Sequence, residues 1–360
     1  MREINVSTNE AGQRLDKLLR KYLKNANTSF IYKMLRKKNI VLNDKKAEGK
    51  EILNLGDSVK MYFSEDTFAT MTGRTGQNSG SAETNRAAAA SASAQTASAG
   101  KNSAQMRRGA SSGNSSERRD QRAFDVEGFR KHIVYEDENL LVLNKPAGWL
   151  SQSDASGLPS VNERCLQYLL ATGTLTEAQL QTFKPGIANR LDRNTSGLIL
   201  FGKTLPALQA LAGLLRDRTM EKYYLAIVYG DIDHAQSIDG YLAKDERTNR
   251  VEIRPQPFPD AAEIHTAYEP LKRSDDYTVL KVHLITGKTH QIRAHLRAIG
   301  HPIIGDPKYG RKDANAYYRT HGGVKSQLLH AWELHFPETL DGPLQTITAD
   351  PPKDFRPFLK

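Results

Sequence analysis

Between Phe68 and Ala123 the chain is built almost wholly from Ser, Ala, Gly, Thr, Asn and Gln, as in GSAETNRAAAASASAQTASAGKNSAQ. Such a stretch has almost nothing to bury, so the entropy lost on ordering it is not offset and it reads as a long disordered linker. The run of alanines inside it is too short to hold a helix alone. Taken as residues 67–123, the linker forces the 360-residue chain to fold as two separate units, 1–66 and 124–360. At about 150 residues per domain, the length permits two.

Charge follows the same division. Residues 1–66 carry 14 Lys and Arg against 9 Asp and Glu, residues 67–123 carry 8 against 3, and residues 124–360 carry 29 of each. The whole excess of +10 therefore lies ahead of a neutral body. A field of that sign attracts phosphate backbones, which predicts a basic accessory region for nucleic acid; a solubilising arm is the plainer reading. Hydrophobic residues at 38% and charged residues at 26% suit a soluble globular protein. No run approaches the roughly 18 apolar residues of a membrane span. The opening MREINVSTNEAGQRLDKLL has no secretory signature, so a cytoplasmic protein is expected. One cysteine, Cys165, excludes an intrachain disulfide and a thiolate zinc cluster.

In the first unit Leu15, Leu18, Leu19, Tyr22 and Leu23 recur at helical spacing, with Arg14, Lys17, Arg20, Lys21 and Lys24 around the stripe. Asn27, Thr28 or Ser29 can cap a second helix in which Ile31, Met34 and Leu35 face inward and Lys33, Arg36, Lys37 and Lys38 do not. Ile40–Leu42, an Asn43-Asp44 turn and 59–63 read as strands. Over residues 13–63, in QRLDKLLRKYL, KNIVLND and LGDSVKMYF, this piece resembles the S4 RNA-binding domain, a small α/β module. The resemblance implies that Arg14, Lys17, Lys21, Lys33, Arg36, Lys37 and Lys38 meet structured RNA.

From Phe124 onward strand-like runs (HIVYEDENLLVLNK, GLILFGK, KYYLAIVYG, YTVLKVHLI) alternate with helical ones such as Leu205 to Arg216. The mixture predicts an α+β fold on a mixed, mostly antiparallel sheet. Two segments could carry chemistry. Asn189 to Gly197 packs Asp192 between Arg190 and Arg193 ahead of an apolar strand, and flanking cations favour the carboxylate a nucleophile or base requires. A turn whose aspartate is satisfied by an arginine is the alternative. In the second, Thr289 can cap a helix with Ile292, Leu296 and Ile299 inside and His290, Arg293 and Arg297 on the other face, either near an anion or simply solvated. Gly287-Lys288-Thr289 is not a P-loop, since the first required glycine falls at Val282 in a strand. His290 and His295 are five apart, without the metal-binding helical spacing of i, i+4.

Taken together and in order, NRLDRNTSGLILFGKT, KYYLAIVYG and LITGKTHQIRAHLRAIGHPIIGDPKYG resemble the signature blocks of the RluA-type pseudouridine synthases, and LVLNKPAGWL resembles their Lys-Pro block. The match spans residues 130–337. It implies a cofactor-independent isomerase without metal, acting on structured RNA, that breaks the uracil N1 to ribose C1′ bond and rejoins the base through C5. It places the catalytic aspartate on Asp192, its arginine partner on Arg293 and the uracil-facing tyrosine on Tyr224, with Tyr223 the near miss. Arg190 would fill the space left by the extruded uridine, or hold a phosphate. Leu191, Lys145, His290 and Gln291 would complete the substrate site, the last two by holding the loop. Asn189 stands where the family has histidine and Lys288 where it has arginine; Asn still donates and accepts hydrogen bonds. Large-subunit ribosomal RNA, or its precursor particle, is the expected substrate of a monomer; transfer RNA, or a catalytically inactive role in ribosome assembly, is the alternative.

Overall fold

The computed structural model describes residues 1–73, 124–337 apart from 246 and 249, and 345–360. The low-complexity stretch 74–123 lies outside the described residues. In the first unit, β1 (Arg2–Asn5) is followed by α1 (Leu15–Tyr22), α2 (Thr28–Arg36), β2 (Ile40–Leu42), β3 (Lys45–Lys46), β4 (Ser58–Met61) and α3 (Glu65–Thr72). Asn27 caps α2 by accepting from the Phe30 N–H at 2.8 Å. Asn43 and Asp44 both take positive φ, the turn that joins β2 to β3. The strands pair in the order β1-β4-β2-β3, and the apolar stripes of α1 and α2 close over them through Leu15, Leu18, Leu19, Ile31 and Leu35.

This unit runs past the boundary expected at residue 66. Phe68 on α3 is fully buried, 5.2 Å from the Phe63 ring and under the Arg2 guanidinium at 4.7 Å. A single aromatic in a polar sequence was enough to anchor a further helix, and averaged composition concealed it.

The body comprises α4 (Val126–Arg130), β5 (Ile133–Glu136), β6 (Leu140–Lys145), α5 (Val161–Ala171), β7 (Gly186–Ile187), β8 (Ser196–Gly202), α6 (Leu205–Arg216), β9 (Glu221–Tyr229), β10 (Gln236–Asp245), β11 (Arg250–Arg254), β12 (Ala262–Arg273), β13 (Tyr277–Leu284), α7 (Gln291–Ala298), α8 (Lys312–His321), β14 (Leu329–His335), β15 (Thr346–Thr348) and α9 (Arg356–Leu359). Its sheet runs β11-β10-β12-β13-β9-β14-β8-β6-β5, with every pair antiparallel except β14 with β8. This is the expected α+β fold on a mostly antiparallel sheet. One face carries the main core, built on β6, β8, β9 and α5. The other is closed by a smaller cluster in which Phe355 and Phe358 pack on Leu225 and Ile227.

The two units touch. The Thr182 hydroxyl donates to the Glu10 carboxylate in a buried contact, the Gln209 amide reaches the Gly12 carbonyl at 3.5 Å, and the Lys21 ammonium stands 5.9 Å over the Phe183 ring. Among the described residues no helix is long and apolar enough to cross a membrane.

Candidate active site

The loop entering β8 is held from both sides. Asn189 accepts from the Leu200 N–H at 2.8 Å and donates to the Leu198 carbonyl at 3.2 Å, so the asparagine pins the loop with both ends of its amide. Leu191 is buried, and its N–H and C=O exchange hydrogen bonds with the Ser151 hydroxyl at 3.0 and 2.7 Å. At Gly197, with φ of +109°, a Cβ would fall 2.1 Å from the Ala331 carbonyl oxygen, so only glycine lets β14 lie this close to β8. Asp192 projects from this loop with its side chain about a quarter exposed.

Lys145, expected at the substrate, lies elsewhere. It is fully buried, and its amine donates to the carbonyls of Pro146 at 3.1 Å, Trp149 at 3.0 Å and Arg193 at 3.0 Å. It ties the Lys-Pro loop to the residue after Asp192 and so positions the carboxylate from behind. Burial pulls its pKa down to about 7, opposed by the charge of Asp192.

Arg293 arrives from α7. Its Nη1 donates to Asp192 Oδ2 at 2.6 Å, while Nε and Nη2 grip both oxygens of Asp306 at 2.7 and 2.9 Å. Burial would raise the Asp306 pKa, but the Arg293 hydrogen bonds and charge and the N–H groups of Lys308 and Tyr309 hold it below the usual range. Likewise burial acts against the Arg293 charge, and Asp306 and Asp192 more than restore it. The planar guanidinium is thus fixed by one carboxylate and offers its remaining edge to the other. Burial of Arg293 removes the alternative of a solvated helix face. Asp306 was not singled out from the sequence. The available signal was chemical, since an arginine buried to meet one partly exposed carboxylate needs a second anion, and Gly305-Asp306-Pro307 follows the same helix.

The start of α7 differs from expectation. Thr289 does not cap it; His290 occupies that position with φ of +55° and no side-chain cap, and Gln291 closes the turn by accepting from the Lys288 N–H at 3.0 Å. Gln291 also bonds the Thr286 and Thr266 hydroxyls and the His265 carbonyl at 2.9 to 3.0 Å, which moors the loop. The strained backbone turns His290 inward, where Nδ1 bonds the Tyr309 phenol at 3.0 Å and Nε2 stands 3.9 Å from Asp192 Oδ2. Burial lowers the His290 pKa, opposed by the charge of Asp192.

Opposite Asp192, Tyr224 of β9 is buried, and burial with the Asp192 charge pushes its phenol well above the ordinary value. Strand alternation puts the two tyrosines on opposite faces of the sheet, and only Tyr224 lines the cleft with Asp192. Tyr223 faces the other side of the sheet, stacked on His283 at 4.7 Å. Asp192, Arg293, Tyr224, Arg190 and Leu191 line one cleft of about 490 Å³, together with the apolar Ile292 and Leu329. Arg190 is exposed at its rim. Arg218, Lys222 and Lys288 also line it, and the first two were not anticipated. Among the described residues no group of three or more His, Cys, Asp or Glu side chains could hold a metal ion.

Of the cations expected on the first unit, Lys17, Lys33, Arg36, Lys37 and Lys38 are exposed. Arg14 instead grips Asp16 through two bonds of 3.1 Å, and Lys21 donates to Gln13 at 3.0 Å.

Residues 139–298 match the family model for RNA pseudouridylate synthase. The ribosomal large subunit pseudouridine synthase C of Vibrio vulnificus is 28% identical over 92% of this chain and 87% of its own length. The ribosomal large subunit pseudouridine synthase D of Pasteurella multocida is 33% identical over 66% of this chain and 72% of its own. Among solved structures, human RNA pseudouridylate synthase domain containing 4 superposes with a TM-score of 0.52 at 20% identity, covering 64% of this chain and 92% of that one, a likeness of fold.

Proposed function

The chain belongs to the RNA pseudouridylate synthase family, enzymes that isomerise uridine to pseudouridine in RNA, and we propose that it acts on large-subunit ribosomal RNA with Asp192 as its catalytic carboxylate. The observation that carries the assignment is the Asp192 to Arg293 bond of 2.6 Å inside a cleft faced by Tyr224. The carboxylate serves either as nucleophile at ribose C1′ or as base toward a ribose proton, and Arg293 holds it in place for either. The N1–C1′ bond breaks, the base turns, a C5–C1′ bond forms, and the C5 proton is lost as N1 regains one, so the product is an isomer of the substrate.

Tyr224 packs against the uracil. Its raised pKa keeps the phenol protonated, so it passes a proton or stacks and is no resident phenolate base. Extruding the uridine costs a few kcal/mol, and Arg190 at the rim fills the vacated space. His290 and Gln291 hold the loop. The first unit acts as an S4-like RNA-binding domain through Lys17, Lys33, Arg36, Lys37 and Lys38, a reading supported by their exposure. The enzyme acts as a monomer in the cytoplasm.

The test is to incubate the protein and its Asp192→Asn variant with ribosomal and transfer RNA lacking pseudouridine and to map pseudouridine at nucleotide resolution. Sites in ribosomal RNA formed only by the parent are expected, with the variant down by on the order of 10³-fold or more and still binding RNA. Sites confined to transfer RNA would overturn the substrate, and an active variant would overturn the role of Asp192.

A further inference from the structure

Four cations line the cleft beside the Asp192 to Arg293 pair: Arg190, Arg218, Lys222 and Lys288. None of their side chains has an anionic partner among the described residues, whereas Arg293 has two. Arg218, just after the close of α6, and Lys222, at the start of β9, both line it, and the Arg218 charge is felt at Lys222. Lys222 shares a strand face with Tyr224, one repeat of about 7 Å along β9, so it stands beside the base-facing ring and not upon it. It is half-buried, and burial together with the Arg218 charge acts against its proton. An anion placed between the two would relieve both effects.

Arg218 carries a second mark. It occupies the position after the C-cap of α6, where the Thr219 N–H closes on the Leu214 carbonyl at 3.1 Å and the backbone is left-handed with φ of +58°. Glycine is the residue that fits this closure without strain, and arginine is a poor substitute. Nothing in the packing requires a long side chain there, since Arg218 is exposed. A left-handed arginine that lines a cleft points to a use for its side chain there.

We infer that Arg218 and Lys222 form a phosphate subsite that takes one backbone phosphodiester of the RNA strand next to the nucleotide lying on Tyr224. The inference rests on the RNA-isomerase reading above and adds to it the way the strand is gripped beside the reacting base. The guanidinium supplies a planar pair of donors and the ammonium a point charge, a combination suited to a phosphate's tetrahedral oxygens. Lys222 and Arg218 are positioning residues, and neither touches the bonds that change.

The experiment uses the full chain with Lys222→Met, Arg218→Gly and the double variant, on large-subunit ribosomal RNA transcribed without pseudouridine. Single-turnover rate is recorded against enzyme concentration at several salt concentrations. Each single variant is expected to raise the half-saturating concentration about tenfold, the size of one charge-assisted contact. Each should also flatten the salt dependence by about 0.7 to 0.9 in log–log slope, one phosphate's worth. The double variant should lose little more than either single one, because both residues hold the same group. Arg218→Gly should melt no lower than the parent, which separates lost grip from lost fold. A neutral methylphosphonate at one linkage flanking the target should impose the same defect on the parent and none further on the variants. Unchanged half-saturation and salt slope in all three variants, or additive losses in the double, would overturn the shared subsite. If the parent forms no pseudouridine in this RNA, the substrate reading falls separately, and the subsite is then judged by the same salt slopes measured in RNA binding alone.

Discussion

In the N-terminal unit Lys33, Arg36, Lys37 and Lys38 stand exposed on and after α2 with no acid beside them among the described residues, while in the body Arg293 is buried between two carboxylates and held by bonds of 2.6 to 2.9 Å. Lys145 is a third case, its amine satisfied by three backbone carbonyls and shown to nothing outside the protein. The same kind of side chain thus draws in a polyanion, orients a carboxylate, or fastens two loops together. What decides among these uses is desolvation. A charge in water acts at long range and loosely, whereas one removed from water acts only on the groups it touches and requires them to be placed well.

The largest effect expected of breaking this contrast is at Arg293. Arg293→Met leaves Asp306 buried without its cation, and a loss of roughly 3 to 5 kcal/mol in stability is expected by denaturant unfolding, with isomerisation down by on the order of 10² to 10³. Arg293→Lys should recover part of the stability and little of the rate, since an ammonium cannot grip Asp306 and reach Asp192 together. A Met variant with parental stability would show that this cation is held no more firmly than those on α2.

Next comes the exposed set. Replacing Lys33, Arg36, Lys37 and Lys38 with alanine leaves the apolar face of α2 untouched, so the unit should still fold. RNA affinity should fall by roughly 10- to 100-fold and the salt slope by about 2 to 3, with less effect on the rate at saturating RNA. An unchanged slope would show that this unit does not contact the phosphates.

The smallest effect concerns Lys145 and has a definite sign. Its pKa is about 7 folded against an ordinary 10.5, so between those values the unfolded chain binds more protons and stability rises with pH. Below pH 7 the burial penalty is felt in full, and above 10.5 it vanishes. Unfolding at pH 7 and pH 9 should show the parent gaining about 2 kcal/mol relative to Lys145→Met. A flat difference would mean that the three carbonyls keep the amine charged throughout.

Much of the local structure was legible in the sequence, because periodicity reports which face is buried. The α6 helix spans Leu205–Arg216 as read, and α1 buries the stripe of Leu15, Leu18 and Leu19. The grouping of Asp192, Tyr224 and Arg293 depended on resemblance, since no spacing announces that positions a hundred residues apart will meet. Less was legible where burial and polarity conflict. Lys145, Asp306 and Lys222 are polar residues whose roles depend on what surrounds them, and a pattern of apolar positions is silent about that. Residue type alone makes Thr289 a cap, whereas the turn is built on His290 in a left-handed backbone and on Gln291. Phe68 was hidden by its polar neighbours.

Strand β14, among the last elements of the chain, lies in the sheet between β8, which follows Asp192, and β9, which carries Tyr224. Until it is inserted, the sheet that carries both halves of the cleft is interrupted between β8 and β9. A nascent chain still threading through the ribosome's exit tunnel therefore has all the reactive residues and no cleft in which to use them. Activity should switch on only once residues 329–335 have left the tunnel, and a message truncated before codon 329 should yield an inert product, without a weakly active fragment.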